Sequence, residues 1–451
     1  MQARGRQGGK SLCTAAAALV SALALAGCSD SLSLPSLPKL QDLNPFAEKE
    51  VPLPGKRVSV LQREDAGNEL AAANKPIGLP PPRLNDSWSQ PGGVPSNAPG
   101  HLAIGGGPKS AWSADAGTGS SFYGKLTASP IVYFNRVYTL DAAGKVSAFN
   151  VSGGSAVWRI PLTPQNEKDQ EGFGGGLAAD AGRIYAATGF GYVVALDANS
   201  GKKLWEKYLG SPVRTSPTAA AERIFVVSKE GQVFCLSGSD GTELWNFRGM
   251  PERAALLSNA SPAVDGEVVV VPFPTGDLVA LRVSDGQPLW SETLSRTRAA
   301  SSMAAMSDTA RPVIDGGTVY AVAHGGRMVA TSQKTGERLW SLTVPSSQAP
   351  WVAGDSVFVV DTGGQLMAVS RREGKVQWTA KLPGNATWSG PVLAGGRLWL
   401  ASDKGQLLSA EAATGRIVST QDLGQPIFIA PVVAGARMYV LTDKAKLIAL
   451  N

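Results

Sequence analysis

The eleven residues ALDANSGKKLW (195–205) close a run of alternating apolar residues with a polar turn and a tryptophan. The same register returns as AFNVSGGSAVW (148–158), CLSGSDGTELW (235–245), ALRVSDGQPLW (280–290), ATSQKTGERLW (330–340) and AVSRREGKVQW (368–378). A seventh copy, SAEAATGRIVS (409–419), keeps the turn but carries Ser419 in the tryptophan position. Steps of 38 to 50 residues separate these positions, a period that belongs to stacked supersecondary units.

One unit read in full gives its architecture. Around RTSPTAAAERIFVVSKEGQVFCLSGSDGTELWNF (214–247), a short run near Ser216–Ala220 precedes the β-branched and aromatic segment RIFVV. SKEG then turns the chain into QVFCL, and SGSDG turns it into ELWNF. Four short strands per unit at this period predict an all-β chain built as a β-propeller. The chain ends at LIALN, the start of an eighth phrase with no fourth strand after it. An orphan fourth strand, KSAWSADAG, contains Trp112, 46 residues before Trp158. Pairing the two ends completes eight blades and hides both free sheet edges. The turn glycine supplies positive φ. Each tryptophan is expected to pack between neighbouring blades, burying roughly 150–250 Å². That is worth about 4–6 kcal/mol as an upper value.

Composition narrows the function. Of 451 residues, 43% are hydrophobic and 17% charged, with 52 glycines, a turn-rich globular balance. Formal charge is +6, but Arg4, Arg6 and Lys10 precede any acid, so the chain after residue 27 carries only +3. Scattered singly, such charge makes no footprint for nucleic acid. Three cysteines, Cys13, Cys28 and Cys235, provide no disulfide framework. Cys235 stands where other repeats have alanine and reads as a small core residue.

Residues 1–27 read as a signal peptide, a basic start followed by a short apolar run. Leu25-Ala26-Gly27-Cys28 resembles a bacterial lipobox, which makes Cys28 the expected lipidation site and the membrane anchor. Ser29 rather than Asp follows the cysteine, which by the lipoprotein sorting pattern implies the outer membrane, facing the periplasm. Residues 29–100 hold 12 prolines. Proline denies helices and ladders their N–H groups, so 28–104 is expected to be a flexible tether and 105–451 the propeller.

The ALDxxTGxxxW phrase resembles the quinoprotein-type repeat, found in two groups. One is the pyrroloquinoline-quinone dehydrogenases; the other is the BamB family of outer-membrane β-barrel assembly lipoproteins. Similarity to BamB runs along the whole propeller and includes AWSADAGTGSSFYGKLTASPIV (111–132) and the lipobox. The long Pro-rich tether departs from it. The resemblance implies a non-catalytic subunit, without cofactor or metal, that binds BamA through its POTRA domains and assists insertion of outer-membrane proteins. Unfolded outer-membrane proteins are a further partner it suggests.

The residues weigh against the dehydrogenase alternative. No two cysteines are adjacent, as the quinone site of those enzymes usually requires, and calcium needs several converging oxygens. Glu230, Asp240, Asp403 and Asp443 sit in repeat turns instead. Only His101 and His324 occur, with His101 in the expected tether. The run GFGGG (172–176) opens no helix and is read as a loop, not a phosphate cradle.

Loop length points to a docking rim. The excess length of the longer units lies after the tryptophans, in 161–176, 248–261 and 294–312, connections that leave a propeller on one face. The latter two carry Leu256, Leu257, Met303 and Met306, apolar residues suited to binding. The BamB resemblance implies partner contact through Leu256 and Asp308. Leu257 stands where the family has arginine, with Arg253 nearby, and a second family aspartate is missing.

Overall fold

A computed structural model describes residues 77–169, 172–249, 260–273, 275–294 and 309–451. They form eight four-stranded antiparallel sheets, with no helix among the described residues. The innermost strands, blade 1 to blade 8, are Ile131–Tyr133, Gly175–Asp180, Thr218–Ala220, Ala263–Asp265, Val313–Asp315, Trp351–Ala353, Trp388–Ala394 and Val432–Ala434. Blade 3 continues through Arg223–Val227, Gln232–Ser237 and Glu243–Arg248, the segments expected from sequence. In blade 8 the strand Ser110–Asp115 lies against Lys446–Leu450, with Trp112 opposite Ala449. Lys109 and Asn451 exchange backbone hydrogen bonds of 2.9 and 3.2 Å, so the two ends close the ring as anticipated.

The recurring phrase is a joint between blades. Across the last hairpin, each tryptophan faces a small residue. Trp205 lies opposite Ala195, Trp245 opposite Cys235 and Trp340 opposite Ala330. Cys235 is therefore the small core residue expected, and burial pushes its thiol pKa up to about 11. In all seven of these positions the indole N–H donates to a carbonyl three residues before the next blade's turn glycine. Trp112 reaches Val151 O at 2.9 Å, Trp205 reaches Gly238 O at 3.0 Å and Trp340 reaches Arg371 O at 2.9 Å. The remaining four, Trp158, Trp245, Trp290 and Trp378, reach Ala198, Val283, Gln333 and Ala412.

The glycine has two reasons to be glycine. Its φ is near +70° in all seven copies, from +70° at Gly374 to +76° at Gly241. A Cβ there would also lie 2.4 Å (Gly154) to 2.7 Å (Gly201) from the preceding blade's indole. Ser419 now has an explanation. The blade after it is blade 8, whose outer hairpin is split between the chain ends and has no turn, glycine or carbonyl to receive an indole. Ser419 instead bonds Ser409 across its own hairpin at 2.7 Å.

The described part of the expected tether is not free. Residues 77–104 are built into the ring, and 85–102 visit every inner strand in circular order. Gly435 N donates to Asn85 O in blade 8, and Trp88 exchanges two backbone bonds with Val132 in blade 1. Ala179 N reaches Ser89 O, and Ala219 N reaches the Gln90 side chain at 3.0 Å. Val264 N donates to Pro95 O and Ile314 N to Ser96 O. Trp351 Nε1 bonds Gly100 O at 3.0 Å, and Leu102 is paired with Leu393 and Gly395 in blade 7.

The physical cause is the inner edge of each blade, a row of backbone donors and acceptors with no strand beyond it. A proline-rich segment cannot add one long ladder there, but it can supply single bonds to eight short edges. Left-handed conformations at Gly93, Asn97 and Gly100 let it bend round the axis. His101 belongs to this clasp rather than to a tether. It is 6% exposed, its Nε2 accepts from Gly396 N at 2.8 Å, and Nδ1–H donates to Pro80 O at 2.7 Å.

Candidate functional site

Connections between blades, and hairpins between second and third strands, emerge on one face of the ring; the clasp enters from the other. On the connecting face, the loop between Ser110–Asp115 and Ile131–Tyr133 presents Phe122 and Tyr123, 92% and 72% exposed. Their rings meet edge to face at 5.3 Å. The loop beneath them is stitched down. Ser120 N donates to Asp443 O and Ser120 Oγ to the Asp443 carboxylate. Leu126 N bonds Ser120 Oγ, Thr118 N bonds Asp141 Oδ2, and Ser121 N closes a turn on Gly124 O. A fixed loop with two apolar rings at its tip is a binding anchor in form. Phe428, 52% exposed in the blade 7 to blade 8 connection, adds a third ring to this face.

The sequence singled out other residues for docking. Leu256, Leu257 and Asp308 lie outside the described residues, as do Arg253, Met303, Met306 and Cys28. What is described are the ends of their loops. Leu294 is buried, with its N–H on Gly276 O, and Ala310 N returns to Val322 O, both on the connecting face. Phe122 and Tyr123 went unnoticed as a site. Their only signal was an adjacent aromatic pair between Ser121 and Gly124, breaking the alternation of the flanking strands.

The acids expected to sit in repeat turns do so, and three of them accept hydrogen bonds there, one within its own turn and two from neighbouring loops. Asp240 is fully exposed and its carboxyl is held below the usual range, first by the Thr242 backbone N–H. Asp403 accepts from Thr387 N at 3.0 Å, and Asp443 holds Ser120. The glycine run is only partly a loop, because Gly175 and Gly176 begin the inner strand of blade 2. A Cβ at Gly176 would lie 1.8 Å from Ser216 Oγ, so glycine there allows blades 2 and 3 to approach. Phe173 carries the Arg214 guanidinium 4.5 Å above its ring. Packing, rather than phosphate binding, accounts for this run.

The family model described as outer membrane protein assembly factor BamB matches residues 144–380 and 374–451. The chain belongs to the BamB family. Among curated relatives, BamB of Yersinia pestis is 24% identical over 201 residues, 44% of this chain and 51% of that protein. BamB of Burkholderia pseudomallei is 28% identical over 185 residues, 41% of this chain and 45% of that protein. The chain thus spans about half the length of the curated BamB proteins it matches. In solved structures the propeller is similar to BamB of Moraxella catarrhalis, with a TM-score of 0.67 and 18% identity. That match covers 76% of this chain and 100% of that one. A europium-containing methanol dehydrogenase is similar at a TM-score of 0.65 and 14% identity, covering 79% of this chain and 89% of that one. Fold alone therefore does not separate BamB from the dehydrogenases.

Proposed function

We propose that this BamB-family chain is a non-catalytic, lipid-anchored outer-membrane subunit of a β-barrel assembly machine, docking on the periplasmic POTRA domains of BamA. The family match over 144–451 carries this reading. The rigid Phe122–Tyr123 tip adds a candidate anchor on the face from which the two long loops depart. The clasp supports the non-catalytic part, since it floors the axis of the ring with Trp88, Gln90 and Asn97, all buried. Co-purification from detergent-solubilised outer membranes tests the partner: BamA should be recovered with this chain, and its absence would refute the assignment.

Leu256→Arg combined with Asp308→Arg is expected to weaken BamA capture more than tenfold, and Phe122→Ser to weaken it further, with melting unchanged. Interface anchors cost ~2 kcal/mol or more when removed, which corresponds to at least that factor. Normal capture by the triple variant would remove the connecting face from consideration.

Cys28 would be the anchor, with residues 29–76 between it and the clasp. Cys28→Ala should yield a folded, unlipidated and mis-sorted protein. Mass spectrometry of the mature N-terminus decides this; a wild-type chain starting elsewhere without acyl groups rules the anchor out.

A further inference from the structure

The clasp floors the propeller axis with Trp88, Gly92 and Asn97 and leaves a cup above them, toward the ends of the inner strands that meet the connecting face. Its wall includes Arg311, Gln348 and Trp351. Arg311 stands immediately before the inner strand of blade 5, and among the described residues its guanidinium has no hydrogen-bond or ion-pair partner. Its Nε is sealed from solvent without an acceptor. Burial pulls its pKa down to about 10, so the group remains charged at neutral pH. A buried donor left without an acceptor is costly, and a buried charge more so.

One more donor lines the same cup. Gln348 Oε1 accepts from Gly390 N at 3.2 Å, which fixes the amide so that Nε2 is the end left to donate. The Trp88 indole N–H has no acceptor either but is sealed beneath the floor, where it faces no ligand. Among the described residues, no aspartate or glutamate lines the cup. Among the described residues, the Arg311 guanidinium and Gln348 Nε2 are the donors facing a cavity of about 30 Å³ with no carboxylate in its lining, and the Asn97 amide oxygen in that lining has no donor of its own.

We propose that this cup is a carboxylate-binding site, and that it receives the carboxylate of an acidic peptide reaching the propeller axis from the connecting face. The planar guanidinium fork matches two carboxylate oxygens, and the neighbouring Gln348 amide adds a third donor to such a group. The stacked rings of Trp88 and Trp351, 6.2 Å apart, exclude water from one side and strengthen such a pair. The inference stands independently of which partner docks on this face.

The test uses the full chain labelled with ¹⁵N at arginine Nε. The Arg311 cross-peak is assigned by its disappearance in Arg311→Gln. Three probes are titrated: acetyl-Gly-Gly-Glu-Gly-Gly-amide, its Gln counterpart, and acetyl-pentaglycine with a free C-terminus. The Glu peptide should shift the Arg311 peak saturably, and the Gln peptide should bind at least tenfold more weakly. Gln348→Leu should weaken the Glu peptide about tenfold, and Arg311→Lys should weaken it too, because a point charge replaces the fork. Binding by the free-acid peptide through Arg311 would support the site and assign it to chain ends; binding by the Glu peptide assigns it to side chains. Equal binding of Glu and Gln peptides, unchanged binding by Gln348→Leu, or no saturable shift with either carboxylate would overturn the proposal. Melting curves of each variant show that the ring is intact.

Discussion

Replacing residues 85–102 by a Gly/Ser run of equal length is expected to destabilise the propeller by more than ~5 kcal/mol, although no blade strand is altered. Trp88 is 2% exposed and Leu102 fully buried, and removing such side chains costs about 2–5 kcal/mol each. The substitution also strips partners from the inner edges of all eight blades, each bond worth about 0.5–1.5 kcal/mol net. Trp88→Ala alone should cost roughly 3–5 kcal/mol. Urea denaturation measures both variants. Hydrogen exchange gives a more local reading, since the amides of Val132, Ala179, Ala219, Val264, Ile314 and Gly435 all donate to the clasp and should lose protection together. A Gly/Ser variant with the wild-type midpoint would mean that the ring holds itself and the clasp merely fills space.

The contrast between clasp and blades explains what the sequence could disclose. Blade strands announce themselves because short runs of β-branched and aromatic residues, buried on both faces in the middle strands, repeat between turns, and the turn glycine and indole recur at fixed spacing. Ring closure was legible for the same reason, as a phrase start without its fourth strand at one end and the reverse at the other. The clasp has no period to find. Its bonds are scattered, with Ser89 O, Pro95 O, Ser96 O and Gly100 O each serving a different blade, and its prolines are those expected of a tether. Only the fold creates the unpaired inner edges that make such a segment bind.

The candidate site was legible in part for a related reason. Loop length located the connecting face, since excess residues between regular strands must leave the ring. Phe122 and Tyr123 gave little sign, because their exposure depends on Ser120 being tied to Asp443, a residue 323 positions away. Arg311 lies within the long 294–312 connection, beside a proline, with no local feature to mark it. Its isolation follows from the clasp flooring the axis, which no local pattern records.

Trp340→Ala is expected to cost roughly 3–5 kcal/mol, and Gly374→Ala in the next blade a further few kcal/mol, but the double variant should cost less than the sum. Trp340 is 9% exposed, packs at 6.1 Å on Tyr320 and donates to Arg371 O. Truncation opens a cavity between blades 5 and 6 and leaves that carbonyl without its donor. Gly374 has φ +70°, where alanine costs about 1–2 kcal/mol. A Cβ there also lies 2.6 Å from the indole, and such overpacking costs about 1–3 kcal/mol more. Once Trp340 is alanine the clash disappears, and only the backbone penalty remains. The cycle should therefore show a coupling of about 1–3 kcal/mol, measured by denaturant midpoints of the four proteins. Additivity within about 0.5 kcal/mol would mean that the glycine is kept for its φ alone. Ser419→Trp supplies the converse. Blade 8 has no outer turn to receive an indole, so this substitution should not stabilise the ring, even though it restores the residue found at every other copy of the phrase.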